Sequence, residues 1–395
     1  MNICLISSEY PPETGWGGIG TYTYVLAHGL VESGHNVHVI CKAINHAHDY
    51  QDQQVWVHRI LPLPQKGPGI YRKYLAEILY VLEYSQGVFH KFKEIMNDVK
   101  IDIVEVPEYG IDGYYLIKNT QVPIVIKLHT PLFLLRKLNK EPLHFNRFWV
   151  ERLEKFTILN SKVITSCSAS LASIVARRFK IPTSQIEVIP NPMDTDTFVP
   201  DNAEVDEKLV LYSGRLEYRK GVFTLAKAIP IILDKISSLK FIFVGHNYTA
   251  PQQCAIKDKL INILSGENAL EKVEFLDRIS RNELIKCYRK AAVCVVPSIW
   301  ENFPYTCLEP MSLAKSVVAS RTGGIPEIIE DGTSGLLFTP GDEKDLASKI
   351  ISLIENSDEM KRLGENARNR VVTNFSKQAI VQKTVNFYEQ VLMRR

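Results

Sequence analysis

Two glutamates eight positions apart, Glu301 and Glu309, flank a loop that leads into a predicted helix at about 305–315. A loop that ends at a helix N-terminus presents unpaired backbone N–H groups and the positive end of the helix dipole, which suits an anion such as a phosphate. Carboxylates on both sides can accept hydrogen bonds from hydroxyl groups of the same ligand. The stretch 297–330 therefore predicts a site for a phosphorylated, hydroxyl-rich ligand.

Each feature of this stretch also has a purely structural interpretation. The run Thr306–Glu309 fits a capping box, in which the Glu309 side chain accepts a hydrogen bond from the backbone N–H at the helix start. Glu301 alone is typical of a solvated loop carboxylate. The pair Gly323-Gly324, which follows a predicted strand at 316–319, is typical of a turn.

A second cluster of candidate residues follows the predicted strand 208–213. Gly214 lets the chain turn, and Arg215 and Lys220 come directly after it. A guanidinium and an ammonium in a shielded site can neutralise a leaving diphosphate, although two basic residues on a loop are also common as surface charges.

A glycine-rich loop precedes the first predicted helix, and its spacing matches G-x-G-x-x-G from Gly15 to Gly20. This pattern is found in dinucleotide-binding proteins. Two observations oppose that function: the segment 9–14 intrudes where a tight turn is needed, and the second strand lacks the acidic residue that binds a ribose. A loop that merely caps the helix remains the structural alternative.

Three polar residues end predicted strands in the first half of the chain. His129 follows the strand 123–128, and Glu105 and Glu108 lie at the end of the strand 102–106. Because ligands of parallel sheets bind beyond the carboxyl ends of the strands, all three are candidates for contact with a substrate. A hydrogen-bonded structural histidine and two solvated carboxylates are the alternatives.

The elements that position these residues alternate between short apolar runs and helical patterns, which predicts parallel sheets with helices on both faces. In the first half we predict strands at 2–7, 36–41, 55–60, 102–106, 123–128, 162–166 and 186–189, with helices at 20–33, 71–98, 112–118, 146–160 and 168–179. In the second half we predict strands at 208–213, 239–244, 272–275, 292–296, 316–319 and 335–338, with helices at 220–236, 252–264, 280–290, 306–315, 343–356, 358–372 and 376–393.

The segment 190–208 contains three prolines and six acidic residues with little periodicity, which indicates a linker between two domains. We expect domains at 1–195 and 196–375, each doubly wound, with a ligand site in the cleft between them. At 395 residues the chain is long enough for two separate cores.

Composition excludes several classes of protein. With 45% hydrophobic and 23% charged residues the chain is typical of a globular protein, and a net charge of +3 is too small to indicate nucleic-acid binding. Seven cysteines without a C-x-x-C pair favour free thiols and a cytoplasmic location over disulfides or zinc. We expect neither a signal peptide nor a membrane-spanning helix.

The stretch 297–330 resembles the signature of the family 4 glycosyltransferases: E-x7-E, a helix of small residues, a V-V-A/S strand and G-G-x-P-E. It departs from that signature at Asn302, Tyr305 and Lys315, where glycine is commoner. The resemblance covers nearly the whole chain. It implies the GT-B fold of two Rossmann-like domains, with the last helix, at about 376–395, packing back on the N-terminal domain.

The resemblance assigns roles to the candidate residues by position. Glu301 would contact the donor sugar, Glu309 would hold the ribose, and His129 would also touch the sugar. Main-chain contacts with sugar and phosphate would come from the segment that follows Glu301. The donor-binding residues implied in this way are Gly17, Gly18, Gly214, Arg215, Lys220, Gly245, Arg278, Asn302, Phe303, Pro304, Leu308 and Glu309.

A basic and aromatic segment at 136–155 has three interpretations. Family members that use lipid acceptors carry such a surface in the N-terminal domain, which implies peripheral contact with the inner face of a membrane. The same pattern is also explained by a partly buried helix with one solvated face. A third explanation is a wall of a pocket for a hydrophobic acceptor, to which the tyrosines of 71–98 would also contribute.

The run Asp194-Thr195-Asp196 is a D-x-D, which binds metal in the other large glycosyltransferase fold. It follows Pro190-Asn191-Pro192-Met193, where the family has a comparable segment, and we interpret it as a turn. We therefore expect a metal-independent enzyme that needs no cofactor beyond its donor, with Arg215 and Lys220 in the place of a divalent ion.

The resemblance implies a retaining glycosyltransferase that moves a sugar from a nucleoside diphosphate sugar to a hydroxyl of a glycan, lipid-linked intermediate or small molecule. Glu301, His129, Arg215 and Lys220 would be its catalytic residues. An epimerase or phosphorylase of the same fold is the first alternative, and a non-catalytic binding subunit is the second.

Overall fold

The computed structural model describes residues 1–64, 74–201, 204–247 and 256–394. Two compact units make up this chain. The first comprises Met1–Pro192 and Lys377–Arg395, and the second comprises Met193–Ser376.

The first unit is built on an eight-stranded sheet in the order β3-β4-β2-β1-β5-β6-β7-β8. Its strands are β1 Asn2–Ser7, β2 Asn36–Lys42, β3 His48–Asp52, β4 Val55–Ile60, β5 Ile103–Pro107, β6 Ile124–Leu128, β7 Val163–Ser166 and β8 Ile186–Val188. All pairs are parallel except β3 with β4. The central strands are mostly apolar because helices cover both faces of a parallel sheet.

The helices of this unit are Gly18–Glu32, Ala76–Asp98, Tyr114–Asn119, Leu132–Leu138, Phe145–Asn160, Ala169–Phe179 and Lys377–Met393. The last of these, the C-terminal helix, packs on Gly18–Glu32. Gly29 allows the close approach, because a Cβ there would lie 2.5 Å from Cγ2 of Val381. The Tyr388 hydroxyl of the same helix donates a 2.8 Å hydrogen bond to Glu105.

The second unit is built on a six-stranded, fully parallel sheet in the order β11-β10-β9-β12-β13-β14. The strands are β9 Asp206–Ser213, β10 Lys240–Val244, β11 Val273–Leu276, β12 Ala291–Val296, β13 Ser316–Ser320 and β14 Leu336–Phe338. The helices are Val222–Lys235, Ile256–Gly266, Arg281–Lys290, Tyr305–Ser312, Ile325–Ile328, Glu343–Ile354 and Ser357–Phe375. Ser280 and Glu283 start the third of these helices with a capping box.

The predicted α/β class with two doubly wound sheets is confirmed. Several elements differ from prediction: β3 and the helices Leu132–Leu138 and Ile325–Ile328 were not expected, and the helix predicted to reach 315 ends at Ser312. The predicted helix 112–118 is a short 3-10 turn, Tyr109–Ile111, followed by Tyr114–Asn119. The predicted helix starts at 71–73, including Tyr71, and at 252–255 lie outside the described residues.

Candidate active site

Two glycine turns meet at the carboxyl ends of β9 and β10. Gly214 and Gly245 have φ of +145° and +147°, values that side chains rarely allow. A Cβ on Gly245 would lie 2.0 Å from the Gly214 carbonyl oxygen, so the two turns touch through bare backbone. The Gly214 N–H donates to the Val244 carbonyl at 2.9 Å. The sheet edge here is lined by main chain.

A third glycine brings the loop after β9 against the loop after β12. Gly221 has φ of +69°, and a Cβ there would lie 1.7 Å from the Pro297 carbonyl oxygen. The Ile299 N–H donates a 2.8 Å hydrogen bond to the Arg219 carbonyl. Residues far apart in sequence, around 220 and around 301, are therefore held side by side.

The result is an ion-pair cluster centred on Glu301. Its Oε1 atom accepts from Arg219 Nη1 at 2.8 Å and from Lys220 Nζ at 2.6 Å. Glu217 Oε1 lies 2.7 Å from Arg219 Nη2 and 3.3 Å from Arg215 Nη2. The interpretation of Glu301 as a solvated loop carboxylate is wrong, because only 8% of the residue is exposed.

The two side chains predicted to neutralise a diphosphate, Arg215 and Lys220, lie in different environments. The Lys220 side chain is 16% exposed and pairs with Glu301, whereas the Arg215 side chain is 41% exposed. The sequence prediction missed Arg219 and Glu217, whose side chains are 7% and 1% exposed. Their only signal in the sequence is that they lie between Arg215 and Lys220.

Charge states in the cluster follow from burial and from the paired cations. Burial raises the pKa of Glu301, but Arg219 and Lys220 outweigh it, so the pKa of this carboxyl lies below its usual value. Burial lowers the pKa of Lys220, and Glu301 opposes that shift. The cluster thus holds an ionised carboxylate beside cations that can be shared with an incoming anion.

Glu309 lies on the helix Tyr305–Ser312 and does not form the capping box that its spacing allowed. That helix begins after Pro304 without a side-chain cap. Instead Glu309 accepts a 2.9 Å hydrogen bond from the Tyr288 hydroxyl, which lies 2.5 Å from Ser213 Oγ. Although part of its side chain meets solvent, burial raises the pKa of Glu309 to about 7.

The segment between the two glutamates is tightly packed. Asn302 and Phe303 are 5% and 4% exposed, Pro304 is buried, and Leu308 is fully buried. Gly323, at φ of +55°, closes over this loop: a Cβ there would lie 1.8 Å from the Glu301 carbonyl oxygen, and Gly324 N–H donates to that oxygen at 3.0 Å. The Gly-Gly turn therefore fixes the backbone of Glu301.

Two of the predicted donor-binding residues, Gly245 and Arg278, lie on the side of β9 opposite β12. Gly245 N–H donates to the Leu276 carbonyl at 2.9 Å, which joins the ends of β10 and β11. Arg278 follows β11 and is exposed. The structure thus places Gly245 beside Gly214, and Arg278 at the outer end of the same sheet edge.

In the first unit, the glycine-rich loop holds a carboxylate. Ser8–Gly17 separates β1 from the helix Gly18–Glu32, so no tight dinucleotide-type turn exists. The Gly20 N–H donates to Glu9 Oε2 at 3.3 Å, and a Cβ on Gly17 would lie 2.2 Å from the same oxygen. A Cβ on Gly18 would meet nothing within 4 Å, so this position is open to close approach.

His129 is 9% exposed and lies edge-on to the Tyr22 ring at 4.9 Å between centroids. Burial and the nearby Lys127 ammonium lower the pKa of His129 to about 3, so the imidazole is neutral. Both Glu108 carboxylate oxygens accept from the His129 backbone N–H, at 2.9 and 2.8 Å. Glu108 thus positions the main chain that carries the histidine.

The interpretation of Glu105 and Glu108 as solvated carboxylates is wrong. Glu105 is 5% exposed and accepts from the hydroxyls of Tyr22 and Tyr388 at 2.6 and 2.8 Å. Glu108 is fully buried, and burial raises its pKa to about 7. Since Glu105 is engaged by Tyr22 and by Tyr388 of the C-terminal helix, its suggested contact with a substrate has no support in this geometry.

The D-x-D run forms a turn at the start of the second unit. Asp194 accepts from the N–H and the hydroxyl of Thr197 at 3.1 and 2.6 Å and lies 3.5 Å from Arg281. The Thr195 carbonyl accepts from Arg368 at 3.2 Å. In the described ranges no group of three His, Cys, Asp or Glu side chains is arranged to hold a metal ion.

The helix Phe145–Asn160 buries one face, including Val150 and Ile158, and exposes large apolar side chains on the other. Phe145 and Trp149 are 64% and 46% exposed. Among the helices described, none combines the length and apolar composition needed to cross a bilayer.

Comparisons with known proteins identify the family of this chain. The family profile described as "Glycosyltransferase Family 4" matches residues 16–197, and the profile "Glycosyl transferases group 1" matches residues 194–370. The chain is 26% identical over 405 residues to an uncharacterised glycosyltransferase of Methanocaldococcus jannaschii, covering 98% of both chains.

Two solved structures show the same fold. Sucrose-phosphate synthase from Thermosynechococcus elongatus superposes with a TM-score of 0.82 at 22% identity, covering 100% of both chains. Anabaena HepE, crystallised with UDP-glucose, superposes with a TM-score of 0.73 at 17% identity over 99% of this chain and 100% of its own.

Proposed function

Because the chain belongs to the group 1 glycosyltransferases and has the GT-B fold, we propose that it is a retaining enzyme that uses a nucleoside diphosphate sugar as donor. The observation that carries this proposal is the buried cluster of Glu301 with Lys220 and Arg219 at the carboxyl ends of β9 and β12. The nucleotide complex of Anabaena HepE, a protein of the same fold, supports the choice of donor.

In the proposed reaction, the acceptor hydroxyl oxygen bonds to the anomeric carbon while the bond from that carbon to the diphosphate oxygen breaks. The acceptor proton goes to the leaving phosphate oxygen on the same face, so the anomeric configuration is kept and no separate base is needed. Negative charge grows on the diphosphate, where Lys220 and Arg215 stabilise it. The ionised Glu301 carboxylate orients the sugar and stabilises the positive charge that develops on its ring.

We propose further contacts with the donor at the positions that match the motifs of the family. Glu309 accepts hydrogen bonds from the ribose, and the backbone at Asn302–Pro304 and at Gly214 and Gly245 lies along the sugar, phosphate and base. Gly17, Gly18 and His129 in the first unit contribute to donor binding. Arg215 and Lys220 supply positive charge without a required divalent ion.

Donor specificity is tested by a thermal-shift screen with UDP-, GDP-, ADP- and dTDP-sugars. A ligand at 100 times its dissociation constant stabilises a protein by about 2.7 kcal/mol. Proton NMR of the product then reads the anomeric configuration, and the assay is repeated in EDTA. An inverted product would refute retention, and activity that EDTA abolishes and magnesium restores would refute metal independence.

The acceptor-independent control separates transfer from the alternative activity. An epimerase would convert the donor in the absence of any acceptor, whereas a transferase would only hydrolyse it slowly. Rapid conversion of the donor alone to a different nucleotide sugar would overturn the proposal.

Peripheral membrane contact is proposed for the exposed apolar side chains Phe145 and Trp149, which lie near Arg152 on one helix. Aromatic and basic side chains together favour an anionic lipid surface. Co-sedimentation with vesicles containing phosphatidylglycerol, compared between the wild type and Phe145→Ser/Trp149→Ser, tests it. Equal sedimentation of the two proteins would refute the contact.

A further inference from the structure

A cavity of about 230 Å³ lies in the first unit, at the carboxyl ends of β1, β2 and β5. Ser8 directly follows β1, Lys42 ends β2, and Tyr109 follows β5, and all three line the cavity. This is the edge of a doubly wound sheet at which ligands bind. None of the donor contacts proposed above involves this cavity.

The inner wall carries a buried carboxyl group, one oxygen atom of which has no hydrogen-bond partner within the described part of the chain. Asp112 lines the cavity and is 2% exposed, and its Oδ2 atom has no hydrogen-bond partner among the described residues. Burial raises the pKa of Asp112 to about 8, which the Lys42 ammonium opposes. A buried polar atom without a partner is costly unless a ligand satisfies it, and a carboxyl group can bind a hydroxyl in either protonation state.

Aromatic side chains form the flanks of the cavity. Tyr84 is 3% exposed and lies deep, whereas Tyr80, one helical turn earlier, is 40% exposed and borders solvent. The Lys42 Nζ atom lies 4.9 Å from the centre of the Tyr80 ring. Arg147 also lines the cavity and forms a loose pair with Glu77 at 3.4 Å. Such walls offer flat apolar faces together with hydrogen-bond donors.

Size limits what the cavity can hold. Pockets for drug-sized ligands span roughly 300–1,000 Å³, so about 230 Å³ suits one ring and not an extended chain. A polar inner end and aromatic flanks suit a ring whose edge carries hydroxyl groups and whose faces are apolar.

We propose that this cavity is the acceptor subsite and takes a single polyhydroxylated ring, a monosaccharide or cyclitol or a phosphate ester of one, with a ring hydroxyl bonded to Asp112. The inference rests on the proposed transferase function, because it names the substrate class of that reaction. A phenolic acceptor is disfavoured, since a ring with one hydroxyl could not bond to Asp112 and to Lys42 or Arg147 at the same time. Lys42 and Arg147 lie where they would contact a phosphate on the ring.

The test measures acceptor binding directly, so that it does not depend on turnover. Saturation-transfer difference NMR is recorded with neutral monosaccharides, their phosphates, myo-inositol and simple phenols. The proteins are the wild type, Asp112→Asn, Lys42→Met and the control Asp98→Asn, which makes the same chemical change on an exposed residue of the helix Ala76–Asp98. Asparagine keeps the size of Asp112 and is uncharged, so the fold is preserved; near-UV circular dichroism verifies this.

We expect at least one hydroxylated ring to bind the wild type and Asp98→Asn equally and Asp112→Asn about tenfold more weakly. Lys42→Met weakens phosphorylated rings selectively if a phosphate lies at the mouth and weakens all rings equally if the free sugar is the ligand. The proposal is overturned if no hydroxylated ring in the panel binds, if phenols bind instead, or if Asp112→Asn binds the ring as well as wild type does.

The same variants separate this inference from the proposed function. Binding of the nucleoside diphosphate in the second unit is measured in parallel by thermal shift and stays unchanged in Asp112→Asn. If the ring binds but no nucleotide sugar does, the proposed transferase function is refuted, while the assignment of the cavity as a sugar-binding site stands. If Asp112→Asn turns over the nucleotide sugar with an unaltered KM for the acceptor, only the assignment of the cavity as the acceptor subsite is refuted.

Discussion

The two units place their charged residues differently at equivalent edges of their sheets. In the second unit, Glu301 pairs with cations that an incoming anion can share. In the first unit, Glu105 and Glu108 are committed to tyrosine hydroxyls and to a backbone N–H. The difference indicates that the second unit holds cations available to an anion, whereas Glu105 and Glu108 of the first unit mainly hold structure.

The largest expected effect comes from Glu301→Gln, which keeps the shape of the side chain and removes its charge. We expect turnover to fall by about 10²–10³-fold, the range seen when one preorganised electrostatic contact is lost. The matched change in the first unit, Glu108→Gln, should leave turnover within about threefold. Steady-state kinetics on both variants measures the contrast, and comparable losses would contradict it.

The next largest effect distinguishes the two side chains that we expect to bind the diphosphate, Lys220 and Arg215. Lys220→Met should lower turnover by about 10²-fold, because its buried ammonium lies against Glu301. Arg215→Met should cost less, about tenfold, since the Arg215 side chain is 41% exposed and its charge is better screened. Raising the salt concentration should reduce the Arg215 contribution first. A larger loss from Arg215→Met would show that this guanidinium moves in when the donor binds.

A smaller effect concerns Glu309, whose pKa is raised to about 7 by burial. Its ionised form is the better acceptor of ribose hydroxyls, so donor affinity should rise several-fold as the pH increases from 6 to 8. Glu309→Gln has no carboxyl to titrate and should lack this component. Isothermal titration with the preferred nucleoside diphosphate over that range gives the result, and identical pH profiles for both proteins would refute the role.

The smallest effect is one of stability in the first unit. The pKa of Glu108 is about 7 in the folded protein, above the ordinary value of 4.5, so the folded state binds its proton more tightly than the unfolded state. Its contribution to stability is fully present below pH 4.5 and is lost as the pH rises through 7. The free energies of unfolding of wild type and Glu108→Gln, measured in urea, should therefore converge at low pH. Between pH 5 and 7 these free energies should change with pH at different rates in the two proteins. Parallel profiles would argue against this titration.

The residues that cluster in the second unit were easier to find in the sequence than those that line the cavity of the first unit, for a physical reason. Glu301, Lys220 and the glycine turns sit in short motifs, where spacing and residue type specify local backbone geometry. The lining of the cavity runs from Ser8 to Val150, and only the fold brings these residues together. Arg219 was missed because an arginine beside other charged residues in a loop is indistinguishable from a surface charge until its burial is known.

The strands were predictable to the extent that they are buried. The central strands are mostly apolar, and their predicted bounds agree with the structure to within a few residues. β3, His48–Asp52, was missed because its sequence HDYQD is polar and its burial alternates along an antiparallel edge. An edge strand of this kind depends on its neighbour β4 more than on its own composition.

The packing of Lys377–Met393 on the first unit has a consequence for synthesis. Two segments far apart in the sequence, Met1–Pro192 and Lys377–Arg395, form that unit, while the second unit is one uninterrupted segment between them. During translation the second unit can therefore finish folding first. The hydrogen bond between Tyr388 and Glu105 can form only after residue 388 has left the ribosome. Until then the flank of the helix Gly18–Glu32 that Lys377–Met393 covers stays open to solvent.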